Sequence, residues 1–247
     1  MNKFSFVIPA LILFLASCGK VYHLADVQGR TYRIEKASYP VDVRVASVIE
    51  PYKLELDKTM NEVIGYCEKE LVKGKPNSTL TNWFADAFPD EAQELTAEPI
   101  DFAVQNYGGI RVPVFGKGPV TVGKMYELMP FDNVMYILKL KGTDVKMLFD
   151  KMAESGGWPV SRNVSFRIEY GKAENIRIKG AALDTTAVYT AAIPDYIANG
   201  GDNMIFLKNL PSVNTGVLLR DMLIKNVKDL QAKGKSINPQ EDQRITE

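Results

Sequence analysis

Apolar residues recur at helical spacing at Met60, Val63, Ile64, Cys67 and Leu71, which predicts an amphipathic helix over residues 51–71 with Cys67 as a buried structural thiol. Lys73-Gly74-Lys75-Pro76 ends that run, and Asn77 or Ser78 is placed to cap a second helix carrying Leu80, Trp83, Phe84 and Ala87, stopped at Pro89. Ile100, Phe102 and Val104 alternate with polar or small residues, the pattern of a half-buried strand. Val134, Tyr136, Leu138 and Leu140 alternate with Met135, Ile137, Lys139 and Lys141, a strand with one face against the core. Thr143 is placed to cap a helix with the stripe Val145, Leu148, Phe149 and Met152, closed by Gly156-Gly157. Further strands are predicted at 164–170, 176–178 and 188–193, and a last amphipathic helix through Leu219, Met222, Leu223, Val227 and Leu230. Val41, Val43 and Val45 form a short strand-like alternation in the lead-in.

Composition narrows this picture. The chain has 247 residues, 46% hydrophobic and 24% charged, with a formal net charge of zero, so it can bury a full core and carries no field suited to a nucleic acid polymer. Residues 1–17 read as a secretory leader, with Lys3 before an apolar run too short to span a bilayer comfortably. Leu15-Ala16-Ser17-Cys18 resembles the bacterial lipobox, which implies cleavage before Cys18, lipid on its sulfur and an exported, membrane-anchored product. Residues 18–39 then form a tether, 40–237 a single folded domain, and 238–247 a polar tail.

Candidate chemistry concentrates in loops. Pro194-Asp195-Tyr196-Ile197-Ala198-Asn199-Gly200-Gly201-Asp202 offers an aromatic face, paired glycines that let a ligand approach the backbone, and a carboxylate able to accept from vicinal hydroxyls. Asn106-Tyr107-Gly108-Gly109-Ile110-Arg111 brings backbone donors beside a guanidinium fork suited to carboxylate or phosphate. In Met129-Pro130-Phe131-Asp132-Asn133 the proline restrains the backbone and can turn Phe131 outward. Each stretch alone also fits an ordinary turn.

Together, in this order and separation, the three stretches resemble the carboxy-terminal domain of the 5'-nucleotidase family, with supporting likeness at Asn82 to Ala87 and Thr215 to Leu223. The resemblance implies an α/β (α+β) fold with a mixed sheet flanked by helices, and a role in holding a nucleoside or nucleoside monophosphate. It makes Phe131 and Tyr196 the two faces that stack on the base and Asp202 the acceptor for the ribose hydroxyls. It sets Asn133 at the base edge and Asn106, Gly108 and Arg111 beside sugar and phosphate. The second stacking position is commonly phenylalanine in the family, and here it is Tyr196. Near the place of a further family arginine stand Lys73 and Lys75, and Arg162 follows Ser161 where glycine is common.

Family members normally also carry a metallophosphatase domain. The only histidine here is His23, which reads as a solvated tether residue, and there is no Asp-x-His pair or Gly-Asn-His stretch. A Ser-His-Asp triad would have to use His23, no phosphate loop of the Gly-x-x-x-x-Gly-Lys type occurs, and Cys67 lacks a base. Neither a catalytic residue nor a cofactor is therefore assigned to this chain, and divalent metals are expected in a separately encoded metallophosphatase partner. The alternative is a non-catalytic binding or scaffold lipoprotein that keeps the fold with another ligand.

Overall fold

The computed structural model describes residues 29–33 and 40–247, so Cys18, His23 and the leader lie outside the described residues. The described chain falls into a compact unit from Glu50 to Glu247 and a separate amino-terminal unit ending at Ile49. Helix α1 (Val43–Met60) begins in the latter and buries none of its residues. The valine alternation expected to be extended therefore starts a helix instead, its spacing being too short to decide between the two.

The helix expected through residue 71 stops at Met60. Val63–Cys67 is strand β1 and Leu71–Val72 is strand β2. The five apolar positions follow the helical period, and tertiary packing overrode it: a Cβ on Gly65 would lie 2.5 Å from Val227 Cγ1, so β1 is pressed flat against the last helix. Cys67 is still a buried free thiol, its Sγ donating to Lys69 O at 3.1 Å and its pKa pushed up chiefly by burial. Ser78 caps α2 (Thr79–Asp86), and Pro89 occupies the first turn of α3 (Phe88–Gln93), where a missing N–H costs nothing, rather than ending α2.

Beyond these come β3 (Phe102–Ala103), β4 (Val114–Phe115), β5 (Gly118–Thr121), α4 (Val122–Leu128), β6 (Val134–Lys141) and α5 (Gly142–Glu154). The cap of α5 is the Lys141 backbone N–H donating to Asp144 Oδ2 at 3.1 Å, so Thr143 lies inside the helix and is not its cap. The remaining elements are β7 (Val164–Glu169), β8 (Lys172–Ile178), β9 (Ala181–Ala182), β10 (Val188–Pro194), α6 (Asp195–Ala198), β11 (Ser212–Leu218), α7 (Leu219–Ala232) and β12 (Ile245–Thr246). Among the described residues no helix is long and apolar enough to cross a membrane.

The central mixed sheet has the order β11-β6-β10-β3, with β10 parallel to β3 and antiparallel to β6; a second sheet has the order β12-β7-β8-β9. Alternate residues of the central sheet enter different cores. Met135, Ile137, Ala192 and Ala103 face one core with α2, α4 and α7, while Leu138, Leu140, Ile193 and Phe102 face the other with α5. The expectation of half-buried strands at β3 and β6 is thus corrected: both faces of β3 are buried, and β6 exposes only Lys139 and Lys141, near its far end.

The segment expected to be a polar tail is docked. Ile245 pairs with Phe166 in β7, its N–H donates to Asn77 Oδ1 at 2.9 Å, and Arg244 is buried against Asp86 and Asp242. A run of polar letters conceals this, because its buried Arg244 pairs with Asp242 of the same segment and with Asp86, which only the fold brings to it.

Candidate functional site

Sheet topology gathers the three loops. Because β3 and β10 are parallel, the Asn106 loop and the Tyr196 loop leave the same end of the sheet; antiparallel β6 starts at that end, directly after Phe131 and Asn133. Pro194 lies opposite Met135 in the ladder, so the chain enters α6 beside the point where the Phe131 loop enters β6. In mixed α/β sheets, strand ends are where binding loops collect.

Phe131 is 42% exposed and Tyr196 45%, so both rings stand at the surface outside either core. The guanidinium of Arg111 lies 5.4 Å from the Phe131 ring centre, its backbone N–H donates to Leu128 O at 2.9 Å, and Nη1 donates to Gly108 O at 3.4 Å. The Asn106 side chain folds over the glycines: a Cβ on Gly109 would come within 3.1 Å of Asn106 Oδ1. Asn133 Nδ2 donates to Asp195 Oδ1 at 2.7 Å and so braces the two aromatic loops against one another. Asp195 Oδ1 also accepts the Tyr196 N–H at 2.7 Å, which commits that carboxylate to capping and bracing.

The Tyr196 loop is held tightly. Gly200 has φ +94°, and a Cβ on Gly201 would fall 2.6 Å from Tyr196 Cε1 and Cζ, so the ring lies on the glycine backbone. Asp202 has φ +49°, and its Oδ1 accepts the Tyr196 hydroxyl at 3.0 Å.

Several residues stand beside the site beyond those assigned to it above, two of them the lysines near the place of a further family arginine. Lys73 Nζ lies 4.0 Å over the Tyr107 ring and donates to Ile110 O at 2.7 Å, with Lys75 Nζ 4.8 Å from the same ring. The Lys73 pKa is pushed down, first by burial and then by the neighbouring charges of Arg111 and Lys75. The lysines are thus gathered with Arg111 around the Asn106 loop. Next to Lys75 the Pro76 backbone packs on Gly157, at φ +97°, where a Cβ would come within 2.7 Å of Pro76 O. Arg220 is also new: buried at the start of α7, it donates to Met129 O at 3.3 Å and Phe131 O at 3.2 Å and pairs with Asp132 at 2.8 Å. Its sequence signals are its place within the family-like stretch Thr215 to Leu223 and its position beside Leu219 in an apolar stripe.

Arg162 turns elsewhere. Its N–H donates to Asp86 Oδ1 at 2.7 Å, and it lines a cavity of about 570 Å³ with Trp83, Leu230, Asp242 and Arg244, which none of the loop residues above touches. Beside that cavity the carboxylates of Glu91, Glu94 and Asp229 close on Lys225 Nζ, whose pKa they raise.

The domain is α/β, with exposed aromatics and cations on loops at one sheet end. The model for the 5'-nucleotidase carboxy-terminal domain matches residues 63–209, and the chain belongs to that family. It is 28% identical over 215 residues to an apyrase of Anopheles gambiae, covering 79% of this chain and 37% of that protein. Protein UshA of Escherichia coli (strain K12) is 32% identical over 137 residues, covering 53% of this chain and 25% of UshA. The crystal structure of a 5'-nucleotidase precursor from Thermus thermophilus superposes with a TM-score of 0.70 at 26% identity, over 85% of this chain and 44% of that one. The chain therefore spans less than half the length of these relatives.

Proposed function

We propose that this protein is the nucleotide-binding part of a split 5'-nucleotidase: it holds a nucleoside phosphate and presents the ester to a metallophosphatase carried on another chain. The observation that supports the reading is that the exposed Phe131 and Tyr196 rings stand on loops at the same end of the sheet as Arg111, which lies over Phe131, and as Lys73 and Lys75, which lie over Tyr107. Aromatic faces take any base, with stacking contributing about 1–3 kcal/mol per base, and the cations suit the phosphate side. Asp202 would accept from the ribose, and Asn133 and Asn106 would fix the loops around it. Hydrolysis falls to the partner, which would supply the divalent metals, since His23 is the only histidine of this sequence. Holding the ester in register is itself a catalytic contribution.

Titration calorimetry with adenosine and AMP tests the binding half. Phe131→Ala is expected to weaken both about tenfold or more; unchanged affinity would remove the stacking claim. Mixing the chain with the partner phosphatase should raise metal-dependent phosphate release, and equal release without it would end the two-chain proposal. The competing reading, a scaffold with another ligand, is favoured by Arg162 and by the lack of the further family arginine; of these, Arg162 faces Asp86 and not the aromatic loops.

Export and anchoring complete the proposal. With a lipid on Cys18 the chain would work at a membrane surface, in a periplasmic or outer-membrane setting. Cys18→Ser should abolish incorporation of labelled palmitate and release the protein to the soluble fraction; retention in the membrane fraction would count against the anchor.

A further inference from the structure

The contact between Tyr196 and Asp202 has chemistry of its own. The ring is pinned by Gly201 beneath it, and its hydroxyl donates to Asp202 Oδ1 at 3.0 Å. Asp202 stands in a left-handed backbone conformation that non-glycine residues adopt at a cost, and the phenol is the side-chain partner that holds its carboxylate there. That donation also raises the Tyr196 pKa, so the hydroxyl, a donor at neutral pH in any case, holds its proton more firmly. Among the described residues Asp202 Oδ2 makes no hydrogen bond.

A carboxylate reads a vicinal diol by accepting one hydroxyl on each oxygen. An oxygen that already accepts a phenolic O–H has less charge and one fewer open lone pair to offer. Resting on the nucleoside-binding reading above, we propose that the Tyr196 hydroxyl is a specificity determinant: by taking one lone pair of Asp202 Oδ1 it weakens that oxygen's grip on the sugar and leaves Oδ2 as the main acceptor, so ribo- and 2'-deoxyribonucleosides bind nearly alike. A phenylalanine at this position would stack equally well and leave both oxygens to the sugar. The tyrosine trades sugar discrimination for a pre-set carboxylate.

The test compares adenosine with 2'-deoxyadenosine by calorimetry on the wild-type chain, Tyr196→Phe, and Tyr196→Phe combined with Asp202→Ala. The wild type is expected to favour adenosine by no more than about threefold. Tyr196→Phe should widen the preference to about tenfold, the worth of one regained hydrogen bond to a charged acceptor. Adding Asp202→Ala should erase the gain, which shows that it runs through the carboxylate and not through altered stacking. A wild type that already discriminates tenfold, or a ratio unmoved by Tyr196→Phe, overturns the assignment while leaving nucleoside binding intact. Failure of the wild type to bind either nucleoside overturns the underlying reading as well. Unchanged circular dichroism and melting of Tyr196→Phe guard against a folding explanation.

Discussion

Replacing Arg244 by methionine is expected to cost about 3–5 kcal/mol of folding stability at neutral pH, the range seen when one partner of a buried ion pair is removed. Arg244 is 4% exposed at its side chain and donates to Asp86 at 2.8 and 3.0 Å, to Asp242 at 2.7 and 2.6 Å, and to Val160 O at 2.7 Å. Methionine keeps much of the volume but leaves two carboxylates facing a thioether. The acid dependence carries the sign of the interaction. Burial pushes the Asp242 carboxyl up, but its bonds to Arg244 outweigh burial and hold it below the usual aspartate value. Its stabilising contribution is therefore complete above the unfolded pKa of about 3.9 and is lost as pH falls through the lower folded value. Urea unfolding at pH 7 and pH 3 should show the wild type weakening in acid and the gap to Arg244→Met narrowing. A gap that is small at pH 7, or that does not narrow, would show that the carboxyl-terminal strap is not held by this cluster.

Arg220→Met should lower stability by about 3 kcal/mol and, separately, weaken adenosine binding about tenfold. The Arg220 guanidinium lies 4.0 Å over the Tyr126 ring, holds the carbonyls of Met129 and Phe131, and meets Asp132. Without it the buried Met129 carbonyl loses its donor and the Phe131 loop loses the groups that fix its path. The binding loss would come from orientation, since Arg220 is buried beneath the loop. Arg220→Lys should restore the charge but not the planar fork, and so recover only part of the affinity. Adenosine affinity at the wild-type level in Arg220→Met, with stability reduced, would mean that Phe131 needs no such support.

The short reach of sequence patterns explains both what was legible and what was missed. Periodicity marked α5 and α7 because each turns one stripe toward a single core, and the three loops were visible because glycine, proline and aromatic residues stand at fixed offsets within each. Residues 63–71 failed the same test, since their apolar spacing is helical while the chain there is extended. Pairing of β1 with β5 and the approach of Val227 to Gly65 settled it. For β6 the alternation was correct but its meaning was not, because a second core covers the face that Met135 and Ile137 share.

By itself the sequence determined the family and picked out three loops by the glycine, proline, aromatic and acidic residues they carry. Tertiary structure alone decided that parallel β3 and β10, with antiparallel β6, deliver those loops to one sheet end. It also brought Lys73, Lys75 and Arg220 into the site and closed the carboxyl terminus over Asp86. The division is physical: turn chemistry and amphipathic periods act over a few residues, whereas ion pairs such as Asp86 with Arg244 join positions 158 residues apart and exist only once both cores have formed.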